Sequence, residues 1–197
     1  GNLYFGFTVT GSNPAGLVGG IARIGAGGGQ RWVAAADAAG DASMVKTATN
    51  SAPALSADGA TLYVVVNQAF GSGSPPAGRL LALDSATLAP RASRLLVDPL
   101  FSTPAWVSDN ASSSPTVGPD GRVFIGVLEA NAPSHNFRGW LLQFDAALTP
   151  AGVPGGFGWD NTASIVPRAM LPQYAGASSY LLALKYNSYP NIGTGDG

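Results

Sequence analysis

Leu62-Tyr63-Val64-Val65-Val66, with Leu80-Leu81-Ala82-Leu83-Asp84 a short distance downstream, is the stretch on which the fold turns. Both runs are dense in branched and aromatic apolar residues and lack a polar residue at every second place. Such runs suit strands covered on both faces. The first run has three counterparts: Leu3-Tyr4-Phe5-Gly6-Phe7, Val123-Phe124-Ile125-Gly126-Val127 and Tyr180-Leu181-Leu182-Ala183-Leu184, and the four starts lie 59, 61 and 57 residues apart. The second run recurs in step as Ile21-Ala22-Arg23-Ile24 and Leu141-Leu142-Gln143-Phe144. A glycine stands shortly before each copy, at Gly19, Gly78 and Gly139, and Asp84 and Asp145 close the last two. A fixed period of this length marks a repeat architecture.

Two further segments complete the unit. Pro53-Ala54-Leu55-Ser56-Ala57-Asp58-Gly59 and Pro115-Thr116-Val117-Gly118-Pro119-Asp120-Gly121 precede the first run, and Pro167-Arg168-Ala169-Met170 is a weaker counterpart. Their Asp-Gly steps are tight-turn signals between apolar runs. An outer strand is expected at Gln30 to Ala34, Arg94 to Val97 and Gly156 to Trp159. The unit is therefore four short antiparallel strands in about 60 residues, and four-stranded sheets repeated radially are propeller blades. The expected fold is all-β: one β-propeller segment with blade pieces at about 1–40, 45–100, 106–160 and 161–197. The expected series starts at the second strand of one blade and stops at the second strand of another. It holds thirteen strands, whereas a ring of about four blades needs roughly sixteen. Open sheet edges invite pairing. The chain is thus expected to be a fragment of about three blades, completed by the remaining blades of the same protein or by another chain.

Composition narrows the function classes. Charged residues make up 11% of the chain, against about 25% in ordinary domains. There are two lysines, Lys46 and Lys185, and one glutamate, Glu129. Exposed amphipathic helices normally carry Glu and Lys, so their scarcity argues against such helices. Gly 27 and Pro 15 imply many turns. Net charge is −1 and no basic cluster exists, so a nucleic-acid groove is excluded. No apolar run reaches the roughly 20 residues of a membrane-spanning helix. The absence of cysteine excludes disulfides, thiolate metal sites and Cys nucleophiles. A lysine-poor β protein rich in Gly, Ser, Thr and Asn reads as extracellular or periplasmic.

Ala22-Arg23-Ile24 followed by Gly29-Gln30-Arg31-Trp32-Val33 resembles the repeat of the quinoprotein-like (PQQ-like) propeller family. In that repeat an Ala-Leu-Asp strand leads through a glycine turn to a Trp strand. Leu81-Ala82-Leu83-Asp84-Ser85-Ala86-Thr87-Leu88 is similar. Ser56-Ala57-Asp58-Gly59 and Gly118-Pro119-Asp120-Gly121 resemble the turn of many propeller repeats. The resemblance implies a possible PQQ and Ca2+ site in the full-length protein. The family's vicinal cysteine pair has no counterpart here, so those ligands are expected outside this chain.

The connections between the first and second runs are long: Thr10 to Leu17, Asn67 to Ala77, Leu128 to Arg138, and the tail from Asn187 to Gly197. In a propeller they emerge on the same face as the connections that join blades, and long loops on a rigid scaffold are where binding concentrates. Asn50, Asp109-Asn110 and Asp160-Asn161 each stand before an inner strand, with Trp106 and Trp159 close by. Such Asx residues close turns by bonding local backbone. The sharper reading is a ring at the mouth of the axial channel that holds a cation or a polyol. His135, Asn136 and Arg138 sit in one long loop, and Lys185, Tyr186 and Asn187 begin the tail. Gly195-Asp196-Gly197 resembles part of a calcium loop, with Asp196 its one carboxylate. A single histidine gives no supported base-nucleophile pair, so no catalytic residue is assigned. Three functions follow. The first is a scaffold binding a partner, glycan or small ligand through the long-loop face. The second is a segment of a quinone-dependent oxidoreductase. The third is a propeller glycosidase or lyase built on paired carboxylates such as Asp109 and Asp160.

Overall fold

A computed structural model describes residues 1–69, 76–109, 113–131, 138–156 and 159–185. Among them the chain forms β1 (Leu3–Phe7), β2 (Gly20–Ile24), β3 (Gln30–Ala34), a short helix α1 (Ala35–Ala39), β4 (Lys46–Thr47) and β5 (Ala54–Leu55). It continues through β6 (Thr61–Asn67), β7 (Gly78–Asp84), β8 (Pro90–Leu95), β9 (Thr116–Val117), β10 (Val123–Val127) and β11 (Trp140–Phe144). It ends in β12 (Ser164–Pro167), a 3-10 turn at Arg168–Met170, and β13 (Tyr180–Ala183). The fold is all-β, and every paired strand runs antiparallel to its neighbour. The strands form four open sheets in chain order: β1-β2-β3, then β4-β6-β7-β8 with β5 also on β6, then β9-β10-β11, then β12-β13.

The four apolar segments of matching pattern are the strands β1, β6, β10 and β13. Side chains alternate across a strand, and in β6 both sets are buried. Leu62, Val64 and Val66 join Ile21, Leu81, Leu83, Met44 and the alanines of α1. Tyr63 and Val65 join Leu80, Ala82, Ile125, Val127, Leu142 and Phe144 on the other face. A third cluster sets Phe124 and Leu141 against Tyr180, Leu182 and Leu184. Sheets that are neighbours in chain order therefore pack face to face. Full burial of one such aliphatic side chain contributes roughly 1.5–3 kcal/mol.

The same polar links recur between sheets. Tyr4 Oη donates to the Ser85 carbonyl at 3.0 Å, and Tyr63 Oη donates to the Ala146 carbonyl at 3.0 Å. The acids that close β7 and β11 organise the following turns. Asp84 accepts the Ala86 and Thr87 N–H groups, and Asp145 accepts those of Ala147 and Thr149. Each turn then places a buried leucine at positive φ, Leu88 at 61° and Leu148 at 64°. The glycines before β7 and β11 answer a steric demand. A Cβ on Gly78 would overlap the Val107 side chain, and one on Gly139 would overlap the Val127 carbonyl and Trp159 Cβ.

The structure corrects several boundaries. The expected outer strand at Gly156 to Trp159 lies in part outside the described residues, at 157–158; Gly156 and Trp159 themselves are not in strands, and isolated bridges join Pro150 to Phe144 and Gly155 to Leu141. Pro150 and Pro154 have no N–H to donate to a ladder. Pro167–Met170 is not an inner strand either. The strand stops at Pro167, and Arg168–Met170 turns as a 3-10 helix. The second outer strand runs Pro90–Leu95, earlier than Arg94–Val97. Helix α1 and strand β4 carry no sequence signal of their own kind. The helix is an alanine turn buried at Ala35, Ala38 and Ala39, closed by Gly40 in the left-handed region with φ 63°. No helix among the described residues is long and apolar enough to cross a membrane.

Candidate functional site: the rim at the ends of β6, β10 and β13

Strands β6, β10 and β13 run from the tight-turn end of their sheets to the end where the long connections begin. Asn67 ends β6, Leu128 and Glu129 follow β10, and Lys185 follows β13. Trp106 joins two sheets at this end through its backbone, bridging Ala77 on one side and Leu128 on the other. Its N–H donates to the Leu128 carbonyl at 3.0 Å, and its carbonyl accepts the Leu128 N–H at 3.0 Å. The tryptophan is half-buried.

Asp109 is the hub of one polar cluster. Its carboxylate forms an ion pair with Lys46, accepts the Thr49 backbone N–H at 3.0 Å and accepts the Asn67 side-chain amide at 3.0 Å. Asn67 is fully buried; its amide also donates to the Val107 carbonyl at 3.0 Å, and its side-chain oxygen accepts Lys46 Nζ at 3.2 Å. Burial pushes the Asp109 carboxyl upward in pKa, but the hydrogen bonds from Lys46, Thr49 and Asn67 outweigh it and hold the group below the ordinary 3.8. Asp109 tethers its own connection to elements of the preceding sheet.

A second cluster forms at the other end of the rim. Lys185 Nζ lies 2.6 Å from Asp160 Oδ2. Asn161 accepts the Lys185 N–H and donates to the Lys185 carbonyl, both at 3.4 Å. The Lys185 side chain is 55% exposed, whereas that of Lys46 is 12% exposed. The two clusters thus differ at their lysines, since the Asp160 side chain is 15% exposed and that of Asp109 25%.

Between them runs a line of links close to the inner strands. The Ala52 N–H donates to Ser114 Oγ at 2.8 Å, and the Ser114 N–H donates to Thr162 Oγ1 at 2.9 Å. Two buried acids fix the base of the long connections. Asp98 accepts the Ala130 N–H at 2.7 Å and the Leu100 N–H at 2.8 Å, and Glu129 accepts the Gly139 N–H at 2.9 Å. Arg138 is buried in this seam rather than presented on the surface, and its carbonyl accepts the Trp159 N–H at 3.4 Å.

The structure thus gathers Trp106, Asp109, Arg138, Trp159, Asp160, Asn161 and Lys185 at one end of the sheets. Asn110, His135, Asn136, Tyr186, Asn187 and Asp196 lie outside the described residues. Lys46, Asn67, Asp98 and Glu129 carried no signal of a role at this rim. Among the described residues no group of three or more His, Cys, Asp or Glu side chains comes together. The Asp109 oxygens meet Lys46, Thr49 and Asn67, and Asp160 meets Lys185. A donor set already engaged with ammonium and amide groups does not fit a calcium-quinone shell.

No family model matches the chain, and no curated protein matches it. A solved structure of a luciferin-regenerating enzyme is similar with a TM-score of 0.45 and 13% sequence identity, over 83% of this chain and 46% of that one. The chain thus spans less than half the length of that protein.

Proposed function

We propose that the four sheets are consecutive blades of a quinoprotein-like propeller, and that the rim at the ends of β6, β10 and β13 is a binding face for a glycan or polyol. What supports the blade reading is the recurrence of one geometry between neighbours: the tyrosine-to-carbonyl bond, the glycine under the next strand, and the hydroxyl links from Ala52 to Ser114 to Thr162. In this reading the remaining blades come from the same protein or another chain, and the protein works outside the cytoplasm.

The observation that carries the binding reading is the Asp160-Asn161-Lys185 cluster, whose lysine is exposed and whose acid and amide are half-buried, on a rim that Asp109 and Trp106 hold rigid. Its acid, amide and ammonium offer both acceptors and donors to vicinal hydroxyls, and a fixed scaffold lowers the ordering entropy of binding. Calorimetric titration with a panel of neutral oligosaccharides and polyols tests it. Binding is expected to weaken in Lys185→Ala and to vanish when residues 131–138 are replaced by a short Gly-Ser linker. Undiminished binding in both variants, or no binding by any member of the panel, contradicts the proposal.

A further inference from the structure

The seams between neighbouring sheets are closed in different ways. Between β1-β2-β3 and the second sheet the closing element is α1, which packs against β3, β7 and β8 and buries Ala35, Ala38 and Ala39. Ser93 Oγ of β8 fastens it by donating to the Ala39 carbonyl at 2.9 Å. Residues 96–104, which follow β8, form no helix. There, between the second sheet and β9-β10-β11, lies a hollow of about 180 Å³. Leu142 and Phe144 of β11, Val97 and Pro99 of the stretch after β8, and Pro150 and Pro154 line it.

The sequence keeps this hollow open. Pro150 bridges Phe144 and Gly155 bridges Leu141, so four residues, Ala151 to Pro154, stand against two, Leu142 and Gln143. The segment bulges off the sheet there, and Pro154 carries no N–H that could draw it back. Arg94 stands on the other side. It lies opposite Leu80 in the β7–β8 ladder, so it shares the sheet face of Leu80 and Ala82, which turns toward Leu142 and Phe144. Three other arginines of these sheets are neutralised: Arg79 by Asp41 at 3.0 Å, Arg91 by Asp84 at 2.7 Å and Arg122 by Asp120 at 3.3 Å. Among the described residues Arg94 meets no carboxylate and no hydrogen-bond acceptor, and it is the one charged residue lining the hollow.

We infer that the hollow is a binding site for a small aryl carboxylate, a single ring bearing one carboxyl group. The volume suits one ring, since an apolar cavity of roughly 150 Å³ takes up benzene. Leu142, the prolines and the Phe144 ring supply apolar and aromatic contact. The carboxylate is the complement of Arg94, whose planar fork holds such a group through two parallel N–H···O bonds. The same guanidinium repels an ammonium ion, so an aryl amine cation of equal size is rejected. The inference rests neither on the glycan-binding reading nor on the blade reading.

The probe is benzoate, titrated into the full chain at neutral pH while backbone amide resonances are followed by NMR. Saturable shifts are expected at Val97 and at Leu142, Gln143 and Phe144. Benzyl alcohol keeps the ring and loses the charge, and acetate keeps the charge and loses the ring. Each is expected to bind about tenfold more weakly or worse. These two ligands test both contacts without any substitution. Arg94 is exposed, so Arg94→Gln is expected to keep the parent's urea midpoint and to weaken benzoate binding about tenfold. Shifts that do not saturate, shifts confined to other surfaces, or an affinity that either Arg94→Gln or the exchange of benzoate for benzyl alcohol leaves unchanged overturns the site.

Discussion

Strands β6 and β13 are made of the same kinds of residue and end in different surroundings. Every residue of β6 from Leu62 to Asn67 is buried, while no residue of β13 is. β6 has strands on both edges and clusters on both faces; β13 has β12 on one edge and packs chiefly toward Phe124 and Leu141. An apolar strand in this molecule is thus stabilised by the sheets beside it more than by its own propensity. The same contrast holds for the rim, where the Lys46–Asp109 pair is locked between sheets and the Lys185–Asp160 pair stands at the edge.

The largest break in that comparison comes from truncating equivalent core positions. Leu81 is fully buried, and Leu81→Ala is expected to lower unfolding free energy by about 2–5 kcal/mol in urea titrations. Leu182→Ala, at a half-buried position, is expected to lower it by about 1 kcal/mol. Equal losses would show that the two strands share one environment.

Next in size is the close approach at Gly139. Its φ is 67° and a Cβ there would overlap the Val127 carbonyl and Trp159 Cβ. Gly139→Ala is expected to cost about 1–3 kcal/mol. Gly27→Ala, in the open β2–β3 turn where a Cβ meets nothing within 4 Å, stays within about 0.5 kcal/mol of the parent.

The rim pairs come third. Asp109→Asn is expected to cost about 1–3 kcal/mol at neutral pH, because Lys46 and the Asn67 amide lose a charged acceptor; Asp160→Asn is expected to cost less than about 1 kcal/mol. The Asp109 carboxyl sits below 3.8 in the folded chain. Its stabilisation is therefore fully present above the unfolded value and is lost as pH falls through the folded one. The gap between parent and Asp109→Asn should close below the ordinary carboxylate range, which acid-unfolding curves would reveal. A gap that persists at the lowest pH contradicts the assignment.

The smallest effect is at the tyrosine links. Tyr63→Phe removes a buried donor to the Ala146 carbonyl and is expected to cost about 0.5–1.5 kcal/mol. Tyr4→Phe, in an end sheet, is expected to cost less.

The apolar strands, their spacing and the glycines before β7 and β11 were legible in the sequence because burial on both faces leaves a dense local pattern. Asp84 was legible only as the residue that closes β7; its side chain bonds residues two and three places onward, and these bonds and Arg91 hold its carboxyl at about 2. The rim was legible only as a set of Asx and Trp positions. Lys46 and Asn67 went unread because their partner Asp109 lies 63 and 42 residues away, and no local spacing encodes a contact between sheets. Asp98 and Glu129 look like surface acids in sequence, yet both are buried and accept backbone N–H groups. Ahead of the expected outer segment at Gly156 to Trp159, Pro150 and Pro154 leave only isolated bridges, Pro150 to Phe144 and Gly155 to Leu141.

Native-state amide hydrogen exchange tests most directly the claim that the sheets stack in chain order. β6 and β7 should exchange slowest, near the rate set by global unfolding, with β10 and β11 close behind and β12 and β13 fastest among the paired strands. Exchange in β13 as slow as in β6, or exchange in β6 as fast as in β13, would contradict the account.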